Sequence, residues 1–210
     1  GRLAAEARVA WALLALARRR RASADPAGAV KWLCEAIESG AELQPMQELA
    51  ETIAQEGRDS GDLSLAVRVF EAMLQRDPGS PAVWRPLAEL YRQLGDLDRL
   101  SRLVEDTGDS VTDPHERNGL RLELAQTLLQ SEDRIDDAVE VLRNLLMEQP
   151  DHIEAGALLA SALERAGRDD ELTELLGERL MSAQGTGNVE AVLAAARALA
   201  QRQNQAGARA

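Results

Sequence analysis

Apolar residues recur every three or four positions along almost the whole chain, which is the spacing of one face of an α-helix. Glycine, proline, aspartate and serine interrupt this pattern at short intervals, and these residues end helices and form turns. The short loops predict that consecutive helices pack antiparallel. We predict about eleven helices, over residues 2–22, 27–38, 45–56, 63–76, 81–94, 97–106, 113–130, 135–148, 151–166, 169–182 and 188–204.

The composition supports an all-helical fold. Alanine (36 residues) and leucine (33 residues) make up a third of the 210 residues, and both are good helix formers. The aromatic residues, which sheets favour, number five: three Trp, one Tyr and one Phe. These proportions predict an all-α protein packed through leucine and alanine, and they exclude an all-β protein.

The chain matches itself when it is shifted by 72 residues. The matches include alanine, proline and glycine as well as leucine, and helical periodicity alone would not produce them. Half of this shift, about 36 residues, is the length of one helical hairpin in a repeat protein. Stacked hairpins of this kind indicate a solenoid. The matching pairs include Ala66 with Ala138, Val67 with Val139, Pro78 with Pro150, Leu87 with Leu159, Ala88 with Ala160 and Gly95 with Gly167.

The repeat also predicts the domain organisation. We expect a single domain over residues 1–210, with divergent hairpins in 1–62, the best-matching repeats in 63–182, and a capping helix and tail in 183–210. Because the sequence begins with glycine rather than methionine, we expect it to be a fragment of a longer protein.

These repeats resemble the tetratricopeptide repeat family. One helix reads Trp84-x2-Leu87-Ala88-x2-Tyr91, close to the family pattern Trp-x2-Leu-Gly-x2-Tyr, and Ala66-x3-Phe70 precedes it. A later copy reads Ala138-x3-Leu142. The resemblance implies a right-handed superhelical solenoid of antiparallel hairpins. It also implies a non-enzymatic scaffold whose concave groove, lined by the first helix of each hairpin, binds a peptide or helix of a partner protein.

The candidate groove residues lie on those first helices, away from the packing stripe. Arg85 and Arg92 are seven residues apart, so both face one side of a helix and could bind a carboxylate or phosphate of a partner. Leu122 and Leu129 repeat this spacing with apolar groups. The alternative is that the arginines are only solvated and the leucines belong to the core. The predicted groove set is Arg85, Glu89, Arg92, Gln93, Leu122, Glu123, Gln126 and Leu129, with Glu48, Glu51, Thr52, Gln55, Glu154, Leu158 and Ser161 as further candidates.

The charge is unevenly distributed. The net charge is −12, which argues against nucleic acid as a partner and favours basic partners. Residues 1–22, however, contain six Arg and one Glu, a local charge of +5 that leaves −17 for the remainder. This basic helix is where we expect any contact with a membrane surface. The alternative function is therefore a structural module, for self-assembly or as a spacer in a membrane-associated bacterial machine, and we expect a cytoplasmic or inner-membrane-associated protein.

No residue pattern indicates catalysis, a cofactor or a metal. His115 and His152 stand at predicted helix starts without zinc-ligand partners, and Cys34 lies among apolar helix residues. The acidic run at 132–137 lacks the spacing of a calcium loop and fits a helix start. Gly185-Thr186-Gly187 is interpreted as a turn between helices, because it follows a helix and lacks the lysine of a phosphate loop.

Overall fold

A computed structural model describes residues 2–40, 42–108 and 110–186. Every regular element in these ranges is a helix. A short 3₁₀ turn, Glu132–Arg134, precedes α8. The α-helices are α1 (Arg2–Ala22), α2 (Pro26–Glu38), α3 (Gln44–Ser60), α4 (Ser64–Arg76), α5 (Pro81–Leu94), α6 (Leu97–Gly108), α7 (Pro114–Leu128), α8 (Ile135–Glu148), α9 (Ile153–Arg165) and α10 (Asp169–Thr186).

The all-helical prediction is confirmed, and ten of the eleven predicted helices are present in the described ranges. The eleventh, 188–204, lies outside the described residues. The predicted ends of two helices are wrong. α3 continues to Ser60, four residues beyond the predicted end, and α10 continues to Thr186 through the predicted break at 183–188. Gly185 therefore lies inside a helix, which costs only about 1 kcal/mol relative to alanine when flanking residues favour the helix.

Local chemistry explains where the helices begin and end. Pro81 occupies the first position of α5, where a missing backbone N–H costs nothing. Asp25 precedes α2, and its carboxylate accepts a hydrogen bond of 2.9 Å from the backbone N–H of Gly28. Gly95 ends α5 at φ 68° and Gly167 follows α9 at φ 69°, a left-handed conformation that side chains with a Cβ disfavour. The 72-residue match predicted this equivalence of the two glycines.

Tertiary contacts divide the chain into two compact units, Gly1–Arg117 and Asn118–Ala210, hereafter the first and second unit. In the first unit, helices α1 to α6 pack their apolar stripes together. Its largest fully buried side chains include Phe70 and Met73 of α4. Each fully buried side chain of this size contributes about 1.5–3 kcal/mol to folding. The core of the first unit therefore holds α5 in place and leaves its polar side exposed.

The second unit has its own apolar core. Leu142 and Leu145 of α8 are fully buried and cluster with Leu159 and Leu163 of α9 and with Leu172 of α10. Its polar side chains bridge successive helices at the surface, as in the bond of 2.7 Å between Arg121 of α7 and Glu148 of α8. No helix within the described parts of the chain combines the length and the apolar character that crossing a membrane requires.

Candidate functional site

The first helices of two hairpins, α3 and α5, lie beside each other in the first unit. The side-chain amide of Gln47 on α3 donates to the backbone carbonyl of Ala82 on α5 at 3.4 Å and to the carboxylate of Glu51 at 3.1 Å. This hydrogen bond links the first turns of the two helices. We call the exposed polar side of α3 together with that of α5 the α3–α5 face; its exposed members are Glu48, Glu51 and Gln55 on α3 and Ala82, Arg85 and Gln93 on α5.

Arg85 is the cation among the named members of this face. Its side chain is 59% exposed, yet two neighbours orient it. The guanidinium lies 5.4 Å from the ring centre of Trp84, a cation–π distance, and its Nη2 donates to the carboxylate of Glu116 at the start of α7. Because Trp84 is 97% buried, the core fixes the ring on which Arg85 rests. Arg85 is therefore exposed to a partner and held in a defined position.

Arg92 differs from Arg85, although the spacing of the sequence made the two look equivalent. Arg92 is half-buried, and its Nη2 donates to Glu89 one turn earlier on α5. Glu89 also accepts a hydrogen bond of 2.8 Å from Gln93. These three side chains form a network along one helix, so Arg92 is less available to a partner than Arg85.

The predicted groove residues of the second unit divide into two kinds. Leu122 and Leu129 are half-buried and pack against the apolar core of this unit. They thus have the packing role that the sequence left open beside a binding role. Glu123 and Gln126 are exposed, and the amide of Gln126 donates to Glu154 of α9 at 2.9 Å.

A buried tyrosine links α4 to α5 beneath the surface. The hydroxyl of Tyr91, which is 95% buried, donates to Glu71 at 2.8 Å. Burial and this hydrogen bond to a carboxylate raise the pKa of Tyr91 well above its ordinary value. The motif identified Tyr91 as a packing residue. It did not identify Glu71 as its partner, because that contact is between helices.

The histidines and the cysteine have structural surroundings. His152 precedes α9, and its Nδ1 accepts a hydrogen bond of 3.1 Å from the backbone N–H of Ala155. His115 is exposed on the first turn of α7. Cys34 is half-buried, and burial raises the pKa of its thiol, which disfavours the reactive thiolate. In the described ranges, His, Cys, Asp and Glu form no group of three that could hold a metal ion.

The second unit contains an open depression of about 500 Å³ beside α8 and the end of α9. Three of its charged side chains, Asp136, Arg165 and Arg168, have partners within the protein. Arg168 pairs with Asp136 at 3.0 Å, and Arg165 donates to the backbone carbonyl of Leu129 at 2.7 Å.

The sequence of residues 58–115 matches the family model described as tetratricopeptide repeat. This segment is similar in sequence to tetratricopeptide repeats. It includes α4, α5 and α6 and therefore the α5 side of the α3–α5 face. The resemblance inferred from Trp84, Leu87 and Tyr91 is confirmed here. No curated protein matches the chain in sequence.

Solved structures with a similar arrangement of helices include a chain from the structure of Naa15/Naa10 bound to HypK-THB. It shares 20% sequence identity at a TM-score of 0.50, over 87% of this chain and 28% of that one. The crystal structure of MamA protein matches at 16% identity and a TM-score of 0.46, over 87% of this chain and 96% of that one. The first likeness supports a tetratricopeptide-like helical-repeat fold. Tetratricopeptide repeats generally mediate protein–protein interaction.

Proposed function

We propose that the α3–α5 face of the first unit binds an extended or helical segment of a partner protein. The observation that carries this proposal is the state of Arg85, an exposed cation held in place by Trp84 and Glu116. Arginine is enriched among the residues that dominate binding energy, and a side chain already oriented loses less entropy when a partner binds.

The charges of the face indicate what kind of segment it fits. Glu48 and Glu51 are exposed and three residues apart on α3, so both carboxylates point to one side of the helix. Arg85 lies on the neighbouring helix. A partner segment with basic side chains over α3 and a carboxylate or phosphate near Arg85 complements this arrangement. Because these groups are exposed, we expect salt to weaken binding.

The remaining predicted residues have different roles in this proposal. Gln93 is exposed on α5 and belongs to the face, while Glu89 and Arg92 stiffen it through their mutual contact. In the second unit, Glu123 and Gln126 are the accessible members of the predicted set, and Leu122 and Leu129 are assigned to packing.

The test compares capture of partner proteins by matched charge-reversal variants. Arg85→Glu changes the face, and Arg102→Glu makes the same charge change at an exposed position of α6. Proteins that bind the immobilised chain are quantified by mass spectrometry for wild type and both variants. For a subset of the proteins bound by wild type, we expect the captured amount to fall at least tenfold with Arg85→Glu and to stay unchanged with Arg102→Glu. A tenfold change corresponds to about 1.4 kcal/mol of binding free energy.

Two results would contradict the proposal. One is that Arg85→Glu retains every protein that wild type retains. The other is that both variants lose the same proteins to the same extent, since this would show a response to net charge and not to the face. Circular dichroism of each variant checks that the helices are intact.

A further inference from the structure

The first helix, α1, packs on α2 with one side and carries an exposed tryptophan on another. Ala10, Leu14 and Ala17 recur at helical spacing and are at least 96% buried where α1 packs on α2. Trp11 is 72% exposed and Val9 is 54% exposed, and at 3.6 residues per turn these two lie on opposite flanks of the exposed side. We call the side that carries Trp11 the outer face of α1; it consists of Arg8, Trp11, Ala12 and Ala15, which are all exposed.

Cations continue the outer face toward the end of the helix. Arg18, Arg19 and Arg20 are all exposed and follow Ala17, and Arg18 lies two turns after Trp11 on the same side of the helix. Arg20 approaches Asp25 at 3.5 Å, while the nearby Arg21 pairs with Glu56 at 2.8 Å. Tryptophan is enriched at membrane–water interfaces, and arginines near such a surface attract anionic headgroups.

The charges distinguish between possible occupants of this face. If two copies of the chain paired through antiparallel α1 helices, two segments with a net charge of +5 would lie together. Each contains one glutamate, so their mutual repulsion is unfavourable. A nucleic acid would attract the arginines but offers no apolar partner for Trp11 in its backbone. An anionic lipid surface satisfies both groups, because headgroups attract the arginines and the interface accommodates tryptophan.

We propose that the outer face of α1 docks on a membrane surface that contains anionic lipids. Trp11 enters the interface, and Arg18 and Arg19 contact the headgroups. Trp11 and Arg18 are seven residues apart on the same side of the helix, so the docked stretch is about 10 Å long and lies along the surface instead of crossing it. The remainder of the chain, with a charge of −17, is repelled by the same lipids, which orients the protein with α1 toward the membrane. This docking is independent of the proposed function, since it uses neither α3 nor α5.

The experiment is flotation of the full chain with lipid vesicles of two compositions. One is phosphatidylcholine alone, and the other is phosphatidylcholine mixed with phosphatidylserine. We expect binding to the mixed vesicles only, and we expect added salt to reduce it. Each cationic group at such a surface contributes a factor of about five to binding, so Arg18→Gln with Arg19→Gln is expected to weaken it about 25-fold.

Matched variants separate this contact from nonspecific effects. Arg58→Gln with Arg102→Gln removes two exposed charges elsewhere, and Met147→Ser removes an apolar side chain that is 77% exposed in the second unit. We expect both controls to bind like wild type. Trp11→Ser is expected to weaken binding, and the fluorescence difference between wild type and Trp11→Phe should show a blue shift of Trp11 on mixed vesicles.

The contrary results are equally specific. Binding to both vesicle types, or equal losses in the α1 variants and the controls, would overturn the proposal. So would absence of vesicle binding together with a concentration-dependent dimer that Trp11→Ser dissociates, because a second copy would then occupy this face. Arg85→Glu should bind vesicles like wild type, which keeps failure here distinct from failure of the α3–α5 face.

Discussion

Helices α4–α6 in the first unit and helices α8–α10 in the second are two copies of one pattern, 72 residues apart. Their apolar framework is the same. Leu87 and its equivalent Leu159 are both at least 97% buried, and Gly95 and Gly167 have φ values within one degree of each other. The two copies differ in the polar and space-filling groups around this framework.

The first difference is a network of charges between the second helices of neighbouring hairpins, which are α4 and α6 in the first copy and α8 and α10 in the second. In the first copy, Arg99 of α6 lies 3.6 Å from Glu71 of α4 and 3.3 Å from Asp96. Both acidic residues thus converge on one arginine.

In the second copy, each of the three positions carries the opposite charge. Glu171 of α10 pairs with Arg143 of α8, and also with Arg168 at 2.6 Å. Two basic residues thus converge on one glutamate. The contact between helices is kept while its signs are exchanged, so the position of the charges, and not their sign, is the common feature.

The second difference lies at the position of the tryptophan. Trp84 in the first copy corresponds to Gly156 in the second. The space beside Gly156 is filled by Arg179 of α10, whose guanidinium donates to the carbonyl of His152 at 2.8 Å. A large side chain on one helix has been replaced by a long side chain from another. Arg85 has no charged equivalent either, since Ala157 stands in its place. The frameworks agree, whereas the surfaces do not, and this favours α5 as the binding helix.

We expect the largest effect on stability from substitution of a small residue, and its size should differ between equivalent positions of the two copies. Ala88 is 98% buried, whereas its equivalent Ala160 is half-buried. We expect Ala88→Arg to lower the free energy of unfolding by more than about 2 kcal/mol, because it buries a charge in a packed contact. Ala160→Arg should cost less than half as much, because its side chain can reach solvent. Urea denaturation followed by circular dichroism measures both; equal losses would contradict the assigned burial.

The exchange of Trp84 for Gly156 predicts a smaller loss. A Cβ at position 156 would lie 1.8 Å from the guanidinium carbon of Arg179, so Gly156→Ala must displace that side chain from its hydrogen bonds. We expect a loss of about 1–2 kcal/mol in the free energy of unfolding. In an Arg179→Ala background the same change should cost less, which a double-mutant cycle measures.

Gly119 provides the matched control for Gly156. It is exposed within α7, and a Cβ there would meet no atom within 4 Å. Gly119→Ala should therefore stabilise the protein by about 0.5–1 kcal/mol through helix propensity alone. If Gly156→Ala were stabilising as well, the packing of Arg179 described above would be wrong.

Tyr91 distinguishes the first copy from the second, where Leu163 stands in its place. Because the pKa of Tyr91 is raised in the folded protein, the unfolded chain loses this proton first as the pH rises above about 10. The stability that the neutral hydroxyl contributes is therefore complete below this pH and is lost above it. We expect the melting temperature of wild type to fall more steeply than that of Tyr91→Phe in this range.

The titration of Tyr91 can be observed directly, since it is the only tyrosine. Phenolate absorbance of the folded chain should appear only well above the pH at which a urea-unfolded sample titrates. Coincident titrations of folded and unfolded samples would contradict the buried hydrogen bond to Glu71.

The smallest predicted effect concerns the reversed charges. Arg143→Glu places two carboxylates together beside α10, and we expect a loss of about 0.5 kcal/mol because the group is exposed. Adding Glu171→Arg and Arg168→Asp reproduces the signs of the first copy and should recover most of this loss. Thermal melts at low and high salt measure it, and a triple variant less stable than the single variant would contradict the equivalence of the two networks.

The sequence predicted the parts of this fold that depend on local chemistry. Helix type follows from apolar spacing, and Gly95 and Gly167 mark helix ends because a left-handed residue is needed there. The missed end of α10 arose because Gly185 was interpreted as a turn, while a helix tolerates one glycine.

Contacts between helices could not be predicted in this way. Neither the arginine beside Gly156 nor the glutamine that joins α3 to α5 has a signal in its own segment. The candidate site was predicted only in part for the same reason. Arg85 and Arg92 have the same residue type on one helix, yet one is exposed and the other is half-buried.

The most direct test of the α3–α5 face places a photo-cross-linking amino acid at one exposed position in each copy. Ala82 lies on the face beside Gln47, and Ala157 is an exposed alanine on α9, the helix of the second copy that corresponds to α5. After irradiation in cells, we expect a chain substituted at position 82 to form a covalent adduct with a partner protein, and we expect Arg85→Glu to abolish it. Position 157 should give no such adduct. An adduct from position 157 with none from position 82 would contradict the assignment of partner binding to the α3–α5 face.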